Sequence, residues 1–217
     1  MMHDVDSAFR EFVLDPTFPC LAGKGVVRAG GYALGTYGVL GSQRSTLRMG
    51  ADLKKFLTDT PAGSPGFNAF VAVFPRTPGA TELQFEQRLW QQLQGLELKY
   101  GSETPWAKDV SDDPEDPHFA FSFGGRAFFV VGLHPASSRL ARRFRWPTLV
   151  FNPHEQFERL RAAGTYGRLQ SQVREREIAL QGSINPNLAD FGDRSAARQY
   201  SGRETSDAWR CPFHRAP

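Results

Sequence analysis

The stretch from residue 126 to residue 161, RAFFVVGLHPASSRLARRFRWPTLVFNPHEQFERLR, constrains the fold of this chain more than any other. Ala127 to Leu133 is a short continuous apolar run rich in β-branched and aromatic side chains. It is too short for a buried helix and reads as a buried strand. Thr148 to Phe151 is a second run of the same kind. The first run stops at His134-Pro135 and is followed by Arg139, Arg142, Arg143 and Arg145. The second stops at Asn152-Pro153-His154-Glu155. There Asn152 suits a helix N-cap, Pro153 the first helical position and Glu155 the carboxylate of a capping box. Two neighbouring strands thus each deliver a histidine at or just past their C-terminal end, with arginines between. Strand ends of α/β sheets are where ligands collect. The stretch reads as the floor of a site for something planar and anionic, and compatible with a metal.

The rest of the chain supplies partners for these strands. Val5, Phe9, Phe12 and Val13 share one helical face. A glycine-rich region from Gly23 to Gly41 contains one alternating run, Tyr32 to Leu40, expected as a strand approached closely by backbone or ligand. Its spacing matches neither a phosphate loop nor a dinucleotide fingerprint. Ser45 to Leu57 reads as a helix and Phe70 to Phe74 as a buried strand. Thr81-x-x-Gln84 is a capping box ahead of a helix carrying Leu83, Leu89, Trp90 and Leu93. Phe119 to Phe123 is a strand, and Gly124-Gly125 a two-residue hairpin turn into the run at Ala127. Helices are expected from Asn152 to Ala163, ending at Gly164, and from Arg168 to Leu180 as a charged surface. Residues 183–203 carry little regular structure but many polar side chains, which fits a loop held by specific contacts. The fold class is therefore α+β: residues 1–217 form one domain with a central, largely antiparallel sheet of five or six strands flanked by helices. The tail, 204–217, ends in Trp209, Cys211 and Phe213, and its apolar character implies docking on the body or on a partner subunit. That tail also suits a homodimer.

Composition narrows the function classes. With 40% hydrophobic and 12% aromatic residues, 18 of them phenylalanine, the chain holds a large aromatic interior. No apolar run approaches the roughly 20 residues of a membrane helix, and the start of the chain is not a secretory signal. Two cysteines, Cys20 and Cys211, give no disulfide framework, so a cytoplasmic protein with reduced thiols is expected. The net charge of +3 is uneven: Asp112, Asp113, Glu115 and Asp116 form an acidic loop, and arginine concentrates after residue 126. Lysine is scarce and the arginines lie on a strand-turn-helix, which argues against a nucleic-acid surface.

His134 and His154 are the histidines in ligand-like settings. No close His/Cys pair or H-E-x-x-H is present, so the pattern is not that of zinc. Isolated histidines suit a cofactor that takes one axial ligand, such as non-covalent haem; the C-x-x-C-H of covalent attachment is absent. The arginines form either a solvated basic face or a bidentate grip on carboxylates. Cys20 and Cys211 read as structural thiols rather than ligands or nucleophiles.

Several stretches together resemble the YqcI/YcgG family: FPC at Phe18–Cys20, GLHPASSRLARRF at Gly132–Phe144, FNPHEQFERLR at Phe151–Arg161, GSINPNLADFG at Gly182–Gly192, QYSGR at Gln199–Arg203 and CPF at Cys211–Phe213. The resemblance implies a protein similar to haem-dependent N-oxygenases that hydroxylate a guanidino nitrogen of arginine or an arginine-like amino acid. It implies haem b, with His134 first as axial ligand and His154 second, or as a distal, catalytic group. Arg139, Arg142 and Arg143 would pair with the propionates, and Phe128, Phe144, Trp146 and Phe151 would line the macrocycle. A guanidinium needs a carboxylate partner, for which Glu155 and Glu158 are nearest in sequence. Electrons would come from an external donor, because no flavin or nicotinamide motif is visible. Such a protein needs a flat apolar slot beside at least one of the two histidines.

Overall fold

The computed structural model describes residues 2–215. Five strands form one sheet: β1 (Tyr32–Thr36), β2 (Ala69–Val73), β3 (Phe121–Phe123), β4 (Arg126–Leu133) and β5 (Thr148–Pro153), in the order β1-β2-β5-β4-β3. Only β1 and β2 run parallel; every other neighbouring pair is antiparallel. The helices are α1 (Met2–Leu14), α2 (Leu21–Ala29), α3 (Gln43–Asp59), α4 (Glu82–Tyr100), α5 (Glu155–Ala162), α6 (Tyr166–Gln181) and the short α7 (Ala197–Tyr200). The expected α+β class and largely antiparallel sheet are what the chain adopts. None of the described helices is long and apolar enough to cross a membrane.

Because side chains alternate along a strand, the sheet sorts its residues onto two faces. One face presents Phe70, Ala72, Phe121, Phe128, Val130 and Phe151 to the main core, which α3, α4 and the C-terminal segment complete. Phe213 is fully buried there, and Cys211 beside it is 6% exposed. Tyr200 ties this core to the sheet: its hydroxyl accepts from Phe121 N at 3.0 Å and donates to Phe128 O at 3.1 Å. The opposite face presents Val71, Val73, Val131, Leu133 and Val150 toward α1 and α2, where Phe9, Phe12, Phe144 and Trp146 cluster.

Local signals set most of these elements. The Thr81/Gln84 capping box forms in full at the start of α4. Gly124 and Gly125, at φ 60° and 74°, make the hairpin turn between β3 and β4, a conformation open to glycine at little cost. Three expectations need correcting. The strand after Gly31 stops at Thr36 rather than Leu40, because the chain turns at Tyr37, whose hydroxyl donates to Asp52 in α3 at 2.8 Å. The glycine-rich segment before it holds α2, capped by the Cys20 sulfur, which accepts from Gly23 N at 3.3 Å, and closed by Gly30 at φ 66°. The capping box expected at Asn152–Glu155 does not form. β5 runs on through Pro153, His154 occupies the cap position without a side-chain bond, and Asn152 donates instead to Phe129 O at 3.2 Å.

Candidate functional site

The sheet face with Val71, Val131 and Val150 is not fully covered by α1 and α2. Beside them lies a cavity of about 340 Å³, within the range of small-molecule sites. Its floor is sheet: Phe129, Val131, Val150 and Asn152 point into it. Its walls come from α2 with Cys20, from α5, from α6 and from the 185–199 segment. α6 contributes Leu169, Val173 and Glu177, spaced four residues apart and hence on one stripe. The helix expected as a plain charged surface therefore turns one side to the cavity. The 185–199 segment is held by side-chain amides. Asn187 Nδ2 donates to Arg198 O at 3.0 Å, its Oδ1 accepts from Thr205 N at 3.2 Å, and Gln199 donates to Ala189 O at 3.2 Å.

His154 stands on the wall of this cavity, and His134 does not. The His154 ring is 5% exposed, lies against Phe191 with ring centroids 4.6 Å apart, and its buried Nδ1 has no hydrogen-bond partner. Its neighbouring carboxylates sit at long range, Glu158 at 3.7 Å from Nε2 and Asp109 at 4.0 Å from Nδ1. Burial pushes its pKa down against the pull of Glu158 and Asp109, so the neutral imidazole dominates at neutral pH. A neutral, buried imidazole with a free ring nitrogen is the form that ligates a metal. His134 packs instead under α4, its ring stacked on Phe85 at 4.2 Å and an interplanar angle of 21°, with both nitrogens buried and unpartnered.

The arginines divide between structural bonds and the cavity. Arg142 lines the cavity, but its guanidinium is buried and donates to Tyr200 O at 3.1 Å; burial draws its pKa down to about 10. Arg139 pairs with Glu177 at 3.4 Å and donates to Ser183 O at 2.6 Å, while Arg143 donates to Ser137 O at 3.0 Å. Three arginines not singled out from sequence also line the cavity and are half-exposed, each paired with a carboxylate: Arg161 with Glu158, Arg174 with Asp190 at 3.5 Å and Arg194 with Asp207 at 2.8 Å. Phe144 and Trp146 belong to the α1 cluster, and Phe128 and Phe151 face the main core. The sheet residues that line the cavity are their neighbours in register, Phe129 and Val150, because a strand shows alternate residues to each face. Glu155 pairs with Arg126, its Oε1 accepting from Arg126 Nε at 3.0 Å, and is not on the wall; Glu177, 8% exposed, is the acid that is.

Cys20 also lines the wall, but burial raises its pKa and keeps it a thiol. Among the described residues no group of three or more His, Cys, Asp or Glu converges to hold a bare metal ion. Haem iron makes a smaller demand, one protein atom. For the parts of haem, a flat hydrophobic body, an iron and two acidic side arms, the wall offers apolar side chains, the imidazole of His154 and arginines.

An apolar cavity of the size small-molecule sites have, set on one face of a mostly antiparallel sheet, is the main open feature of this α+β protein. More particularly, the chain belongs to the YqcI/YcgG family, whose family model matches residues 9–214. It is similar to two proteins of Bacillus subtilis (strain 168), the uncharacterized proteins YqcI and YcgG. Each is 30% identical over 135 residues, covering 59% of this chain and 52% and 53% of the respective relatives. The chain thus spans about half the length of the curated relatives it matches. No solved structure matches it.

Proposed function

We propose that the protein is a haem-dependent N-oxygenase that hydroxylates a guanidino nitrogen of arginine or an arginine-like amino acid. The observation that carries the reading is the buried imidazole of His154, its Nδ1 without a hydrogen bond, on the wall of an apolar cavity that arginines also line. In this reading His154 holds the iron and Arg161, Arg174 and Arg194 receive the propionates by charge-assisted hydrogen bonds. The haem supplies activation of dioxygen or peroxide. The apolar lining from Phe129, Val131 and Leu169 excludes water around the reacting nitrogen. Glu177 is the wall carboxylate matched to a guanidinium, and it already faces one, that of Arg139. The balance with dioxygen places one oxygen atom in an N–H bond and releases the other as water. That consumes two electrons and two protons from an external donor; with peroxide no donor is needed.

Reconstitution with haem and a visible spectrum is the first test. His154→Ala is expected to abolish the Soret band of the bound species, while His134→Leu keeps it. If Cys20→Ser abolishes it instead, and the reduced carbon monoxide complex shows a thiolate-type band, the iron belongs to Cys20 and the assignment fails. Absence of any Soret band in the intact protein leaves an anion-binding pocket without haem. A haem-loaded protein that forms no N-hydroxy product from arginine or its homologues, with oxygen and reductant or with peroxide, is a haem-binding protein without turnover.

A further inference from the structure

The two edges of the sheet are finished differently. At the β3 edge, the Ser122 hydroxyl accepts from Ala107 N at 3.0 Å and Ser111 bridges to Phe119 just ahead of the strand, so this edge is covered. The β1 edge is bare. Gly31 O accepts from Ala69 N and Tyr37 N donates to Val73 O, so the odd-numbered residues of this strand turn their backbone toward β2. In a parallel pair the intervening residues turn theirs away. These are Tyr32, Leu34 and Thr36, and none of their backbone N–H or C=O groups has a hydrogen-bond partner among the described residues. The strand, Tyr-Ala-Leu-Gly-Thr, has none of the usual edge protections: no proline, no lysine and no bulge. A groove of about 410 Å³ runs beside it, bounded on its far side by α3.

The α3 side of that groove carries Arg48, Asp52, Lys55 and Asp59, all exposed and all lining it. Their spacing puts them on one helical stripe, and their signs alternate along it. The pattern is self-complementary under a two-fold axis: reversed against itself, Arg48 meets Asp59 and Asp52 meets Lys55. The backbone pattern has the same symmetry. With the axis through Leu34, Leu34 pairs with its own copy and Tyr32 with Thr36 of the copy, each pair exchanging two N–H···O bonds. The Tyr37–Asp52 hydrogen bond holds the far end of β1 against the middle of α3, which keeps the two patterns in step.

We infer that a second copy of this chain adds to the β1 edge, antiparallel across a two-fold axis, so that two five-stranded sheets become one and the α3 charge stripes face each other. A closed isologous interface of this kind uses each open edge once and leaves none for further growth. It is separable from the haem proposal: the groove and the cavity share Tyr32, but His154 and the cavity arginines are not part of the groove.

The test is the solution mass of the intact protein by light scattering at tens of micromolar, with amide exchange read by mass spectrometry. A dimer is expected, with the amides of Tyr32, Leu34 and Thr36 protected. Arg48→Glu and Asp59→Lys each place like charges across the axis and shift the protein toward monomer by tenfold or more in dissociation constant. The double variant R48E/D59K restores the dimer, which no misfolding account explains. A monomeric wild type with fast exchange at those three amides overturns the inference, as it would if a foreign strand were the occupant. A dimer indifferent to both single variants overturns it too, since the interface then lies elsewhere.

Discussion

His134 shows how a residue-scale reading meets its limit. From sequence it is a histidine at a strand end next to arginines, and nothing in its neighbours says which side of the sheet its ring will take. The structure seats it against Phe85 with both nitrogens buried and unbonded. Burial, outweighing the nearby Glu82 carboxylate and reinforced by Arg142, draws its pKa down to about 4. The unfolded chain therefore takes up this proton first on acidification. The stabilisation is complete above the unfolded value near 6.5, falls as pH drops toward 4, and changes no further below that. At pH 4.5 the loss from this one group is about 2–3 kcal/mol. His134→Leu keeps the volume and removes the titration. Urea unfolding at pH 7.5 and 4.5 is expected to show a smaller acid penalty in the variant by that amount; an equal penalty in both would mean the proton finds a partner.

At the scale of elements, the legible parts were those whose signals are local. The Thr81/Gln84 box, the Gly124-Gly125 turn and the apolar runs of β2, β4 and β5 each carry their instruction within a few residues. α2 is hard to read because Gly23 and Gly25 lower helix propensity and cysteine is a rare cap; the signals that remain are Gly30 just past its end and the apolar Val26-Val27 pair. The candidate site suffered from phase. Phe128 and Phe151 sit one residue from Phe129 and Val150, and a one-residue step on a strand exchanges the main core for the cavity. The rim arginines were out of reach for a different reason, since Arg161, Arg174 and Arg194 meet only through the packing of α5, α6 and the 185–199 segment. The Cys20 cap yields a prediction at this scale. Cys20→Ala leaves Gly23 N without its acceptor and is expected to destabilise the haem-free protein by about 0.5–1 kcal/mol, whereas Cys20→Ser retains a capping oxygen and stays above the alanine variant. Thermal unfolding of the two variants side by side decides it; serine at or below alanine would show that the sulfur contributes packing rather than a cap.

For the molecule as a whole, the sheet separates two jobs. The face toward α3, α4 and the C-terminal segment is filled solid: Phe70, Phe121, Phe128, Phe151 and Phe213 are at most 2% exposed. The other face keeps a cavity open, which forfeits contacts that a packed core would make. Stability and ligand binding should therefore respond to different substitutions. Phe213→Ala removes an aromatic ring from the filled face and is expected to lower unfolding free energy by about 3–5 kcal/mol. Its ring partners Trp90, Trp106, Phe119 and Phe121 are not cavity-lining residues, so haem titration of the still-folded variant at low temperature keeps its midpoint. Val131→Trp does the reverse. Val131 is half-buried and lines the cavity, so the larger ring has open volume beside it to enter. Its effect on unfolding is expected to stay within about 1–2 kcal/mol, below the cost of overpacking a closed core. The space it occupies is the space a ligand needs, and haem affinity should fall by at least tenfold. If both variants lose binding and stability in parallel, the sheet does not insulate the two faces and the cavity is not the haem seat.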